Sequence, residues 1–332
     1  MTAAAGSNCG HAEIVIKCGP YEKVQQRIAM TKIAPRRLML LLCIGFALLP
    51  VSRWSTGGFA RADEPAAADV PKGLRIYSIG HSFHVFMPGI LAQIAKSAGI
   101  ADHRQVGLSS IGGSYVMQHW DVDDDKFKAK ATLESGDLDV LTIAPLFLPD
   151  EGIENFVRLA SEKSPQIRVL VQEFWLPFDV NVNFRKEKPP APDREVFDLK
   201  NLQDEHDKYF HDIDEQVRAL NEKYGGKPAV FVAPVGQAVL TLRQKIAEGA
   251  APGLAKQTDL FTDPIGHAKP PLAVLVAYCY YAQIYGRSPV GLPVPPALKG
   301  VDDAQTSKLN RLLQEIAWDA VTAHPLSGVK AK

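Results

Sequence analysis

Gly80-His81-Ser82-Phe83-His84 directly follows a short apolar run, Leu74–Ile79. A serine between a strand and a helix can turn its hydroxyl toward a cleft, and a nearby helix N-terminus favours developing negative charge. Serine is a weak nucleophile until an adjacent base takes its proton. The plain alternative for Ser82 is a helix N-cap. Far along the chain, Asp263-Pro264-Ile265-Gly266-His267 lies in an irregular stretch before an apolar run. An imidazole can act as base while a carboxylate orients its other nitrogen; the alternative is a solvated loop pair. Between them stands Ser110-Ile111-Gly112-Gly113-Ser114. Its glycines let the backbone approach a ligand and aim N–H groups at it, or simply make a turn.

Other polar residues admit further chemistry. His81 and His84 form a His-x-x-His pair that could supply two metal ligands, but no H-E-x-x-H or cysteine pair accompanies them. They read instead as polar groups lining a cleft. His119-Trp120 precedes Asp121, Asp123, Asp124 and Asp125. The stretch lacks the glycine and terminal glutamate of a calcium loop, so it reads as a solvated helix start. Gln172, Phe174 and Trp175 follow an apolar run and could line a sugar or acyl pocket, or pack. Cys279 sits within LAVLVAYCYYAQI and reads as a small buried hydrophobe rather than a nucleophile.

The elements that must hold these residues alternate. Strands are predicted at Leu74–Ile79, Gln105–Ser110, Leu138–Ile143, Ile167–Val171 and Ala229–Ala233. Helices are predicted at Met87–Ala98, Asp124–Glu134, Gly152–Lys163, Asp204–Tyr224, Val235–Glu248, Pro271–Tyr285 and Asp303–Ala323. Short apolar strands alternating with helices imply a parallel sheet covered on both faces, with ligands at the carboxyl ends of the strands. The stretch near 177–202 carries Pro189, Pro190 and Pro192 and reads as an insertion, and Gly249–His267 is a second irregular stretch.

Charge divides the chain. It has 332 residues with 37 basic and 37 acidic side chains, so nothing electrostatic argues for nucleic acid. Residues 1–62 hold eight of the basic and two of the acidic groups, leaving 29 and 35 in the remainder. Lys32, Arg36 and Arg37 precede the uncharged run LMLLLCIGFALLPV and then Ala60-Arg61-Ala62, the layout of a secretory signal. The run is shorter than the ~20 residues of a spanning helix. We expect a signal within 1–62, with Met30 a candidate start and membrane attachment only if the signal is uncleaved. A linker at 63–72 and one domain at 73–332 would follow. Only Cys279 of the four cysteines lies beyond the signal, so the exported domain, periplasmic or extracellular, rests on its core.

The order of motifs, IYSIGHSFH (76–84), SSIGGS (109–114), LDVLTIAP (138–145) and DPIGHAKPP (263–271), resembles the SGNH/GDSL hydrolase superfamily. The resemblance implies a three-layer α/β/α, flavodoxin-like domain and a serine esterase without cofactor or metal. It gives Ser82 the role of nucleophile and Asp263 with His267 the rest of the triad. It gives the N–H groups of Ser82 and Gly113 (or Gly112) the oxyanion hole. The implied substrate is a small acyl ester or an acylated polysaccharide, such as an O-acetylated one. The chain departs from the family in three places. His81 stands where the family has Asp, Asp263 and His267 are four residues apart rather than three, and Ala144–Asp150 contains no Asn to donate to an oxyanion. Gln172 or His119 could substitute for that donor. Two other readings stay open: a descendant that binds glycans without turnover, and a metal-dependent hydrolase using His81 and His84.

Overall fold

The computed structural model describes residues 70–298 and 303–331. The expected signal in 1–62 and most of the linker at 63–72 lie outside the described residues. Five strands form one all-parallel sheet: β1 (Arg75–Gly80), β2 (Arg104–Ser110), β3 (Val140–Ile143), β4 (Arg168–Glu173) and β5 (Ala229–Pro234). Their spatial order is β2-β1-β3-β4-β5. The order reverses at β1, so the crevice above β1 and β3 is where connecting loops part and a ligand can enter. β1 lies between its partners in register, with Ile79 opposite both Ser109 and Ile143.

The inner strands β3 and β4 are buried on both faces. Val140, Leu141 and Ile143 in β3 and Val169, Leu170 and Val171 in β4 are all but inaccessible, as helices on both faces require. Edge strand β2 is different. Its residues are largely exposed, Val106 is bulged out between the registers Ile76–Gln105 and Tyr77–Gly107, and the Tyr77 ring lies over Gly107.

Nine helices are described: α1 (Met87–Ser97), α2 (Val116–Asp121), α3 (Asp124–Phe127), α4 (Ala129–Glu134), α5 (Glu151–Lys163), α6 (Leu199–Lys223), α7 (Val235–Ala247), α8 (Pro270–Tyr285) and α9 (Asp303–Ala323). α8 packs against α1, α7 and α9 and is buried from Leu272 to Tyr285, which explains why it is apolar all round. Among the described residues no helix is long and apolar enough to cross a membrane.

Three elements differ from the expectation. The helix predicted at 124–134 is split into α3 and α4 by Lys128, whose φ is +58°. The Asp124 carboxylate makes this break possible by accepting from the N–H groups of Lys130 and Ala131, both at 2.9 Å. α6 begins at Leu199 rather than Asp204, capped by Asp198, so the irregular stretch expected to reach residue 202 ends at 198. α2 was not expected at all. It is held by buried Asp150, which accepts from the N–H groups of Val116 (2.6 Å), Met117 (3.1 Å) and, on α5, Gly152 (2.9 Å). A Cβ at Gly152 would stand 2.2 Å from Met117 N, so only glycine lets the two helix starts meet.

Candidate active site

Ser82 lies in the tight turn joining β1 to α1, where the N–H groups of His84 and Val85 both donate to the His81 carbonyl. The close turn depends on Gly80, whose added Cβ would stand 2.9 Å from the Ala144 Cβ at the end of β3. Ser82 thereby projects above the carboxyl ends of β1 and β3. His267 arrives from the loop before α8. Its Nε2 is 2.8 Å from Ser82 Oγ and its Nδ1 is 2.6 Å from Asp263 Oδ2.

The protonation pattern follows from the carboxylate. Burial opposes ionisation of Asp263, but hydrogen bonds from the His267 ring and from the N–H groups of Gly266 and His267 outweigh it and lower its pKa. An ionised Asp263 accepts the Nδ1–H of His267, which leaves the Nε2 lone pair facing the Ser82 hydroxyl. The step of four residues between Asp263 and His267 is accommodated locally. Asp263 Oδ1 accepts from the Gly266 N–H (2.9 Å) and the His267 N–H (3.2 Å), and Gly266 takes a φ of +107° to close the turn.

Phe83 fixes the imidazole from one side. Its ring meets His267 edge-on at 5.3 Å and stacks on Trp175 at 4.7 Å with 9° between planes. Phe83 carried no distinguishing signal in the sequence beyond its place next to Ser82. Gly112 and Gly113 follow β2 as expected. Gly113 has a φ of +58°, and a Cβ there would meet nothing within 4 Å, so the requirement is conformational. Among the described residues, no acceptor within the protein is found for the N–H groups of Ser82 and Gly113.

The residues expected to line a pocket form a buried layer beneath the site instead. His81, His84, His119, Gln172 and Trp175 are each at most 3% exposed. Burial lowers the pKa of His84 to about 4, so its ring is neutral. Its Nδ1–H donates to Gln172 Oε1 at 2.7 Å and its Nε2 accepts from the Thr142 hydroxyl at 2.9 Å. Gln172 also donates from Nε2 to the Phe83 carbonyl and accepts from the Tyr280 hydroxyl. His119 is likewise depressed to about 4 by burial and is bonded through both nitrogens, to Ser109 Oγ (2.6 Å) and Ser114 Oγ (2.7 Å).

Gln172 and His119 are thus tied into the scaffold and do not reach upward as substitute oxyanion donors. His81 and His84 do not form a paired ligand set either, because both nitrogens of His84 are engaged. His81 packs its ring against Phe83 and Phe174 (5.8 and 5.4 Å), accepts weakly from the Phe83 N–H through Nδ1, and leaves its buried Nε2 without a partner. Cys279 is buried, as its apolar surroundings suggested, and burial raises its thiol pKa.

A cavity of about 140 Å³ lies under the loops that follow β3 and β4, lined in part by Leu146, Phe147, Leu176, Asn181 and Asn183. Neither Ser82 nor His267 lines it. The residues directly after β3, Ala144 to Leu148, carry no polar side chain. Sequence reasoning also missed Asp150 and Arg194. The Pro149-Asp150-Glu151 string signals a helix cap, but its bonds to α2 lie 33 and 34 positions away. Arg194 sits in a proline-rich stretch with no periodicity to mark it. Comparisons with family models, curated proteins and solved structures find no match to this chain.

Proposed function

We propose that this chain is an exported serine hydrolase with a flavodoxin-like, SGNH-type α/β/α domain that cleaves ester bonds. The observation that carries the reading is the continuous relay of hydrogen bonds Ser82–His267–Asp263 at the strand ends. The strand order 2-1-3-4-5 supports the fold assignment. The uncharged run Leu38–Val51 behind Lys32, Arg36 and Arg37 supports export.

In this mechanism the Ser82 hydroxyl attacks the ester carbonyl while His267 Nε2 takes its proton. Asp263 holds the ring in the correct tautomer and stabilises the imidazolium that forms. The N–H groups of Ser82 and Gly113 receive the oxyanion. His267 then gives its proton to the departing alkoxide, releasing the alcohol, and water attacks the acyl-serine with His267 again as base. The carbonyl carbon passes from ester to acyl-enzyme to free acid. Export and the chemistry of the site favour a small acyl ester or an acylated polysaccharide as substrate. A donor missing from an oxyanion hole typically costs about 2.7–4 kcal/mol, so turnover should be modest.

The test is labelling by a fluorophosphonate probe mapped by peptide mass spectrometry, together with hydrolysis of p-nitrophenyl acetate. Ser82 should carry the probe and Ser82→Ala should be inert. Labelling elsewhere, or equal hydrolysis by the variant, overturns the proposal. The apolar stretch Ala144–Leu148 favours one competitor, a domain that binds glycans without cleaving them. That reading stands if wild type and Ser82→Ala are equally inert while an acetylated polysaccharide still binds.

A further inference from the structure

Four successive carbonyl groups of the Asp263–Gly266 turn each accept a hydrogen bond from the segment that follows β4. Arg194 Nη1 donates to the Asp263 carbonyl and Nη2 to the Pro264 carbonyl, both at 3.0 Å. The Phe178 N–H donates to the Ile265 carbonyl at 3.0 Å. The Trp175 indole donates to the Gly266 carbonyl at 2.8 Å. The turn that carries Asp263 and His267 therefore rests in a cradle made by residues 175–194.

Arg194 is itself held on all sides. Its side chain is 4% exposed, its guanidinium lies 4.3 Å from the Phe261 ring centre, and it pairs with Asp179 at 3.3 Å. Asp179 is in turn paired with buried Arg243 at 2.9 Å. Phe178 and Asp179 both adopt left-handed backbone, with φ of +57° and +60°. Non-glycine residues keep such a conformation only where their surroundings enforce it. Here it delivers both the Phe178 N–H and the Asp179 carboxylate to the cradle. Next to Arg194, Glu195 accepts from the N–H groups of Gln257 and Thr258 and from the Thr258 hydroxyl, docking the chain that leads into the turn. An added Cβ on Gly266 would come 3.2 Å from Arg194 Nη2, so the contact leaves no slack.

We infer that Arg194 is a positioning residue for the reaction: its forked guanidinium sets the Asp263–His267 pair at bonding distance from Ser82. The inference rests on the hydrolase reading above. A planar fork can span two adjacent carbonyls, which a lysine ammonium on its flexible stem does not reproduce. Releasing the turn lets His267 drift relative to Ser82, and a misplacement of about 1 Å at a reacting group costs roughly 100-fold in rate. Substrate binding need not change, because Arg194 lies beneath the turn.

The experiment compares wild type, Arg194→Lys and Arg194→Met in kcat and KM for p-nitrophenyl acetate. Proton NMR of the downfield His267 Nδ1–H resonance and circular dichroism accompany it. For Arg194→Met we expect kcat to fall about 10- to 100-fold with KM within twofold, and the downfield resonance to shift or broaden. Arg194→Lys should recover only part of the loss. A folded Arg194→Met with wild-type kcat and an unmoved resonance overturns the inference. So does failure of both variants to fold, which would make the role purely structural. If wild type itself is inert and unlabelled by the fluorophosphonate, the hydrolase reading fails. The resonance then still decides whether Arg194 orders the Asp263–His267 pair.

Discussion

Ser82 and His267 are 185 positions apart in the chain, yet His267 Nε2 stands 2.8 Å from Ser82 Oγ. One is placed by the tight turn after β1, the other by a loop braced against the segment after β4. Phe83, adjacent to one and edge-on to the other, fills the space between these supports. Removing either end of the relay should therefore abolish chemistry without unfolding the domain. Ser82→Ala should lose roughly 10,000-fold or more in kcat with an unchanged melting temperature. Ester turnover and differential scanning calorimetry measure the two.

Asp263→Asn tests the tautomer argument. The amide keeps the size of the side chain but can donate to His267 Nδ1, which turns the imidazole proton toward Ser82. We expect kcat to fall about 10,000-fold. Ester turnover measures the loss, with circular dichroism to confirm the fold; a folded variant with wild-type kcat would remove Asp263 from the relay.

Gly113→Ala isolates the backbone of the glycine loop. No atom lies within 4 Å of the added methyl, so strain at φ +58° is the only direct cost, about 1–2 kcal/mol. We expect a small loss in denaturant midpoint and a larger proportional loss in kcat as the N–H turns from the oxyanion position. Equal kcat in the variant would remove Gly113 from the oxyanion hole.

Stability should peak near neutral pH. Burial depresses His81 to about 3 and His84, His119 and His206 to about 4. Below the unfolded value near 6.5 the unfolded chain binds protons that the folded one does not, so stability falls as pH drops from 6.5 toward 4. Glu173 has the opposite effect: burial raises it to about 8. Its folded-state proton is stabilising at low pH, and this contribution is lost as pH rises from about 4.5 to 8. Four histidines outweigh one glutamate on the acid side. Urea midpoints across pH 4–9 should fall steeply on the acid side and gently on the alkaline side.

The layer under the site should be sensitive to single polar deletions. Thr142→Val is nearly isosteric but removes the hydroxyl that donates to His84 Nε2 and bonds Ser78 Oγ at 2.9 Å. A buried acceptor left unpartnered costs about 1–3 kcal/mol. Chemical denaturation should register that loss. A variant as stable as wild type would mean that the network reorganises.

Local pattern was enough to mark the strands because a strand buried on both faces must be apolar, as Leu138–Ile143 and Ile167–Val171 are. Ser82, Gly113, Asp263 and His267 are ordinary residue types for turns, and only their order along the chain, through the resemblance it carries, singled them out. Local pattern could not place His84, His119 and Gln172, since a polar residue reads the same whether it faces a cleft or a buried partner. Only the tertiary structure separated the two, by bringing Thr142 and Tyr280 to His84 and Gln172, and Ser109 and Ser114 to His119. The same holds for Arg194 and Asp150. Their roles depend on backbone groups distant in the chain, Asp263 and Pro264 for one and Val116 and Met117 for the other. Periodicity and capping rules register what a residue does for its own element. Which distant backbone it will hold is decided only when the sheet closes and the loops above it meet.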